Sequence, residues 1–477
     1  MSGGLLAIDL GTTKCKVILF DPGGNVLRKE VYRYGTIILN ENQIEQKPEE
    51  WWEVVIKALR RISRSYNDII GIGVTGQAHG VIPVDKKGRV LRNAIIWMDQ
   101  RSSKLMREIH LRKGVKISPY TYLAKLIWIR MCEPETYLKA WKFLHPIDFI
   151  VYKLSGEAKT DFTNVLRIYD LSRRAYKEEL LEELGISINK LPEIVAPGEV
   201  IGTIRDDLAD ELGISRDAVI ISGGIDSLAA ALGAGCIKEG MACDVAGTSS
   251  VLLAYTRQRI IDKLGRVITS PFYIPSSWVL VGLMSSTGAA LEWFKKLFLP
   301  ELSLERIDAL AMNSPPGSDG IIFLPYLVGE RSPIWNPHAK AVFFGLRMKH
   351  GISSLTRAVL EGVAFALRHN LEVMEELGLK IDEIRTVGGC SNSRIWCQIK
   401  SDICDKKFTT LKVKDGANMG VAILLSVAIG VYKDLVEAVQ KLIKTEEIFL
   451  PREENRTIYD KAFTRYKAIY NRLENLF

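Results

Sequence analysis

Three groupings of residues in this chain have the types and spacing to do chemistry. Asp226 follows the β-branched run Val219-Ile220-Ile221 and the pair Gly223-Gly224, and precedes the small-residue stretch Leu228–Gly235. A carboxylate at such a strand-to-helix turn either caps the helix or takes a proton from a bound hydroxyl, and position alone leaves both open. Further on, Gly247-Thr248-Ser249 forms a turn between two apolar strands, where backbone N–H groups suit phosphate oxygens. The chain opens on a similar pattern, Asp9-Leu10-Gly11-Thr12-Thr13. Asp9 reads as a turn residue or as a Mg²⁺ ligand, since Mg²⁺ sites use one or two carboxylates and keep waters. The two Gly-Thr turns are a weak internal duplication, visible over the hairpins and not beyond. Together they suit a polyphosphate clamped from both sides. Phosphoryl transfer then needs a metal and a base near the attacking hydroxyl.

A third grouping is Gly76-Gln77-Ala78-His79-Gly80, a Gly-bounded turn between apolar strands in which His79 suits hydroxyl recognition. Arg101, read at the end of a strand AIIWMDQR, is either one half of a surface ion pair or a ligand group. Gly71, Gly73 and Gly76 match the spacing of a dinucleotide fingerprint, but that motif must open a helix. Here Val81–Val84 reads as strand and Lys86-Lys87-Gly88 as a turn, so the fingerprint is rejected. No Gly-Lys dipeptide occurs, which excludes a Walker-type loop.

The elements that must hold these groups follow from periodicity. Leu5–Phe20 reads as a hairpin, closed by Asp21-Pro22-Gly23-Gly24 before a third strand. Pro48 opens a helix with an acidic first turn, a basic last turn and the apolar stripe Trp51, Trp52, Val55, Leu59, Ile62. Residues 102–217 alternate helices and loops. Ser353 is placed to cap a long helix that Gly378 ends, and Gly388-Gly389 breaks a strand ahead of the helix RIWCQIKSDIC. At 477 residues the chain needs two or three domains. A net charge of +8, spread along the chain, fits anionic ligands better than nucleic acid. The seven cysteines lack a zinc spacing and read as reduced thiols. No signal peptide or bilayer-spanning run is read, so a cytoplasmic protein without membrane partners is expected.

With these residues in view, the chain resembles the FGGY family of carbohydrate kinases, and within it most of all the xylulokinases. The likeness rests on DLGTTKCKVILFD, GQAHG, IIWMDQR, GGIDSLAAALGAG, AGTSS, STGAALEWF, PYLVGERSPIWNPHAKAVFFGL, LEGVAFAL and GGCSNSRIWCQIKSDI, which occur in the family's order. It implies an α/β protein of two actin-like (ribonuclease H-like) domains with a ligand cleft between them. Residues 1–243 would bind sugar and carry the catalytic Asp, and 244–477 would bind nucleotide. It implies ATP and Mg²⁺, with Asp226 as general base and Asp9 holding the metal through water. Thr12, Thr13, Lys16 and Thr248 would contact phosphates, Gly288 and Glu292 would flank the nucleotide, and Gly389 and Ser393 the adenosine. Ala78, His79, Trp97, Asp99, Arg101 and Tyr120 would face the sugar. The expected reaction is phosphorylation of a sugar hydroxyl, a ketopentose such as D-xylulose, with a gluconate or polyol kinase as the alternative. Arg101 is the one cation expected nearby and Asp99 offsets it, which counts against a sugar acid. An actin-like chaperone or filament ATPase would lack the sugar loop. A homodimer is left open.

Overall fold

The computed structural model describes residues 3–115 and 117–477. The chain forms two compact units, Met1–Ala229 with Ala417–Leu442, and Ala230–Gly416 with Ile443–Phe477. The single boundary expected at 243/244 has no counterpart for the segment that returns to the first unit.

The first unit is built on a six-stranded sheet. Its strands are β1 (Gly4–Leu10), β2 (Lys14–Phe20), β3 (Val26–Arg33), β4 (Ile69–Gly76), β5 (Val200–Thr203) and β6 (Val219–Ile225). The order is β3-β2-β1-β4-β6-β5. β1, β4 and β6 run parallel, while β2, β3 and β5 run antiparallel to their neighbours. The expected opening hairpin is therefore present, closed after β2 by a turn in which Gly24 takes φ +77°. The helix α1 (Pro48–Ser63) also forms as expected, with Pro at its first turn, acidic residues at its start and basic ones at its end. Trp51, Val55, Leu59 and Ile62 pack with Leu6, Val17 and Leu19 of the sheet into one core. A second core lies under the helices and loops between β4 and β5, around Tyr122, Leu126, Phe143 and Ile168.

The second unit carries a seven-stranded sheet. Its strands are β7 (Gly240–Ala246), β8 (Ser250–Thr256), β9 (Ile268–Pro271), β10 (Trp278–Met284), β11 (Ile381–Val387), β12 (Lys407–Leu411) and β13 (Thr445–Phe449). From β10 the order β10-β8-β7-β11-β12-β13 repeats that of the first sheet, with the same succession of antiparallel and parallel pairings. The duplication thus extends over six strands in each unit, far beyond the two hairpins legible in the sequence.

Two sequence expectations need correction. Of AIIWMDQR only Ala94–Ile95 is strand, because Asp99 N closes a turn onto the Ile96 carbonyl and the chain leaves the sheet. The long helix runs Ile352–Glu376 with Gly351 at its N-cap, so Ser353 lies inside the first turn and caps nothing. Gly378, at φ +96°, follows the helix end as expected. The seven cysteines are unpaired, and five of them are buried. Among the described residues no helix is long and apolar enough to cross a membrane.

Candidate active site

The parallel strands β1, β4 and β6 end at one edge of the first sheet, with Leu10 paired to Gly76 and Gly76 to Ile225. Loops leaving the carboxyl ends of neighbouring parallel strands gather at one place, which is where α/β sheets bind ligands. Here the three loops are the turn Gly11–Thr13, the segment Gln77–Gly80, and Asp226 at the start of α2 (Asp226–Gly233). The strand Ile82–Val84 after the middle loop and the turn at Gly88 are as expected, which supports rejecting the dinucleotide motif.

Asp226 is partly buried, and burial pushes its carboxyl up to about 7, with the negative charge of Asp9 adding to the rise. The Ser227 N–H and the Lys16 ammonium oppose it. Its Oδ1 accepts from Ser227 N at 2.7 Å, the very next residue, whereas a capping side chain takes the second or third helical N–H. Lys16 Nζ lies 3.4 Å from Asp9 Oδ2 on the paired strand, where Asp9 and Lys16 stand opposite one another. Thr13 is exposed at the tip of the turn.

His79 adopts φ +61°, a left-handed conformation that a non-glycine residue holds only when its surroundings impose it. Its imidazole is pushed down to about 4 by burial first, then by the positive charges of Lys125 and Arg167, so it is neutral near pH 7. Lys125 is fully buried, its ammonium depressed to about 7 by burial, and it donates to the Tyr120 carbonyl at 2.7 Å. Trp97 donates its indole N–H to Thr12 Oγ1 at 2.9 Å. Ala78 is half-buried beside His79.

Asp99 and Arg101 face each other rather than an open surface. Arg101 Nε and Nη2 meet Asp99 at 2.9 and 2.8 Å, and Nη2 also meets Glu45 Oε1 at 2.8 Å. The Asp99 carboxylate also accepts from Ile44 N at 2.6 Å, and the guanidinium lies 5.0 Å from the Trp128 ring centre. The ion-pair alternative for Arg101 therefore holds, as a buried network instead of a surface pair. It anchors the turn that presents Trp97.

Sequence reasoning passed over Gln46. Fully buried at the end of the short strand Gln43–Gln46, it donates to the Thr12 carbonyl at 2.6 Å and to Thr36 Oγ1 at 2.8 Å. Its Oε1 accepts from Gln77 Nε2 at 2.9 Å, so one amide joins the His79 loop to the Gly11–Thr13 turn. The only trace in the sequence is two polar residues, Glu45 and Gln46, just ahead of a helix-starting proline.

In the second unit the matching strand ends are those of β7 and β11. The turn Gly247–Ser249 is closed by Gly247 N on the Ser249 carbonyl, 3.0 Å. Thr287 N and Gly288 N donate to the Thr248 and Gly247 carbonyls, each at 3.0 Å, which docks the start of α3 (Gly288–Phe298) on the turn. A Cβ on Gly288 would lie 2.7 Å from the Gly247 carbonyl oxygen, so the docking requires glycine. Gly389 is exposed at the end of β11, and Glu292 is exposed one turn into α3. Ser393 is the N-cap of the helix Arg394–Cys404, accepting from Trp396 N at 3.2 Å while donating to Asp308 at 2.9 Å. The second hairpin has Val245 where the first has Asp9. Asp244, one residue earlier, is buried and paired with Lys400 at 2.6 Å.

Among the described residues no three His, Cys, Asp or Glu side chains converge as a protein-only metal site. Asp9, whose negative charge helps raise the Asp226 carboxyl, does fit a Mg²⁺ held jointly with nucleotide phosphates, the arrangement in which one or two carboxylates and waters suffice.

Comparison with known proteins gives this arrangement its context. Residues 5–233 match the N-terminal domain model of the FGGY family of carbohydrate kinases, and residues 242–429 match its C-terminal domain model. A xylulose kinase of Staphylococcus epidermidis is 31% identical, over 99% of this chain and 97% of that protein. A gluconokinase of Bacillus licheniformis is 29% identical, over 100% and 97%. The solved structure of a ligand-bound xylulose kinase from Lactobacillus acidophilus superposes with a TM-score of 0.91 at 26% identity, covering 99% of this chain and 98% of that one. The match spans both units and confirms the two-domain α/β fold. With Asp226, the two Gly-Thr turns and the His79 loop at the strand ends described above, the chain belongs to the FGGY family of carbohydrate kinases.

Proposed function

We propose that this carbohydrate kinase transfers the γ-phosphoryl group of ATP to a hydroxyl of a ketopentose, D-xylulose in the first place. The observation that carries the reading is the meeting of Asp226, the Gly11–Thr13 turn and the His79 loop at one sheet edge. A carboxylate raised to about 7 is matched to accepting a proton near neutral pH. Neutral His79 both donates and accepts hydrogen bonds, which suits a polyhydroxyl substrate; Trp97, bonded to Thr12, and Tyr120, whose carbonyl holds Lys125, are assigned to the sugar with it. Thr12, Thr13 and Lys16 take phosphate oxygens in the first unit, as does Thr248 in the second, with Gly288 and Glu292 flanking the nucleotide and Gly389 and Ser393 toward the adenosine. Asp9 is the carboxylate for Mg²⁺, which supplies positive charge to the phosphates when bound. Asp99 and Arg101 serve the sugar through the Trp97 turn that they hold. Full-length relatives named as xylulose kinases support the ketopentose.

One observation favours gluconate as a second reading. Arg101 is neutralised by Asp99 and Glu45, but it is not the only cation near the sugar loop as the sequence suggested. Lys125 and the exposed Arg167 both act on His79. A relative of similar coverage is named a gluconokinase. Measuring kcat/KM for D-xylulose, D-ribulose, gluconate, glycerol and erythritol decides between them. D-Xylulose is expected to lead. A lead of about tenfold or more by gluconate or a polyol overturns the ketopentose and leaves the kinase standing.

A further inference from the structure

The strand that delivers Asp226 loses its regular pairing just before it. The register of β6 against β4 shifts between Ser222 and Ile225, and Gly224 takes φ +76°. Such a bulge frees backbone groups that must be satisfied elsewhere when buried. Both are taken by threonine hydroxyls from other parts of the first unit. Thr75 Oγ1, at the end of β4, donates to the Gly224 carbonyl at 2.6 Å. Thr163 Oγ1 accepts from Ile225 N at 3.1 Å. Thr75 and Thr163 are no more than 1% exposed, so water does not substitute for either.

A hydroxyl has one proton, and Thr163 has a fixed place to send it. Its Oγ1 donates to Asp161 Oδ1, which also accepts from Thr163 N at 2.9 Å. The other oxygen, Oδ2, accepts from Ser222 Oγ on β6 itself and from Asn164 Nδ2 at 3.3 Å. Asp161 is completely buried. With the proton committed to the carboxylate, a lone pair of Thr163 Oγ1 is left facing the Ile225 N–H. The carboxylate therefore sets the polarity of the hydroxyl, the hydroxyl and Thr75 together hold the Gly224–Ile225 peptide, and that peptide, one residue ahead of Asp226, aims its side chain.

We infer that Thr163, oriented by Asp161, is a positioning residue for the Asp226 carboxylate in phosphoryl transfer. The inference rests on Asp226 being the general base, the reading proposed above. Ground-state binding of sugar and nucleotide does not involve it, so its loss lowers kcat and leaves KM in place.

The test compares Thr163→Val, which keeps the shape but loses the hydroxyl, with Thr163→Ser, which restores it. Asp226→Asn serves as the reference for the base. The valine variant is expected to lose about tenfold to a hundredfold in kcat, with KM for sugar and ATP within about threefold of the parent. The serine variant is expected to recover kcat to within about threefold, and the rising limb of the kcat–pH profile should shift in the valine variant alone. Valine kcat within twofold of the parent, with Asp226→Asn inactive, overturns the inference and spares the base. Equal losses in the valine and serine variants, or KM rising with the fall in kcat, also overturn it, because a packing defect behaves so. An active Asp226→Asn removes the base itself. Should Thr163→Val not yield folded protein, Asp161→Asn is read in its place. An about tenfold loss confined to kcat supports the inference, and an unchanged kcat overturns it.

Discussion

Asp226 has a raised carboxyl pKa in the fold, and this has two consequences of opposite use. For catalysis, activity should climb as pH rises through about 7, because the base acts deprotonated. For stability, the folded chain holds that proton over a range in which the unfolded chain has lost it. Stability therefore falls as pH rises from the ordinary carboxyl range to about 7 and is level beyond, as far as this group is concerned. Asp226→Asn keeps the shape and removes the charge. It should lose about a hundredfold or more in kcat, yet melt a few degrees higher than the parent at pH 8 and show little difference at pH 4. Turnover within a few-fold of the parent would return Asp226 to the role of a helix residue. The half-buried His79 belongs to the same scale: its imidazole stays neutral between pH 6 and 8, so a change of sugar KM in that range traces to Lys125, whose ammonium is depressed to about 7, and His79→Ala should raise that KM while ATP affinity, by calorimetry, stays.

At the scale of elements, the two turns are built alike but supported differently. The first rests on side chains, with Gln46 and Trp97 both bonded to Thr12, whereas the second rests on backbone, with Thr287 and Gly288 donating to its carbonyls. Removing a hydroxyl from either turn, by Thr12→Val or Thr248→Val, should weaken Mg-ATP binding or slow transfer while sugar binding persists, read by separate titrations. Gly288→Ala goes further, because its methyl would press on the Gly247 carbonyl oxygen at 2.7 Å and lift the helix start from the turn. ATP affinity should fall about tenfold or more, with the sugar titration unchanged. A loss of sugar affinity alone would reverse the assignment of the two units.

For the whole molecule, the unexpected feature is the return of residues 417–442 to the first unit. Asn418 in the helix Gly416–Ala428 donates to the Ala7 and Lys16 carbonyls at 2.9 and 3.2 Å, so a late segment supports the opening hairpin. Close packing there is unforgiving: a Cβ on Gly420 would lie 1.9 Å from the Ala229 carbonyl oxygen. Gly420→Ala should cost about 1–3 kcal/mol or more of first-unit stability, visible as an earlier calorimetric transition. A fragment ending at residue 229 should be markedly less protected in hydrogen exchange along β1 and β4 than the same strands in the full chain. Equal protection would show that the returning segment is dispensable.

The sequence by itself displayed the residues whose types and spacing suit the chemistry, and the kind of chemistry they suit. Asp226, Asp9, the two Gly-Thr turns and the GQAHG loop are local patterns, set by turn geometry and by the chemistry of single side chains, and they were legible without coordinates. So were the hairpins and α1, whose periodicities are properties of short segments. What only the tertiary structure decided depends on strand order and on partners far apart in the chain. Asp99 and Arg101 looked like two residues on one strand face; a turn and the distant Glu45 made them a buried network. The duplication looked confined to hairpins because β4 and β6, or β11 and β12, pair across many residues with no shared motif. Thr75, Asp161, Thr163 and Gln46 carry no signal of their own, since a buried threonine or glutamine gains meaning only from the backbone group opposite it. Proton transfer needs a carboxylate, which a sequence can display. Aiming that carboxylate needs a bulged strand held by hydroxyls from elsewhere, and that is fixed only when the sheet has assembled.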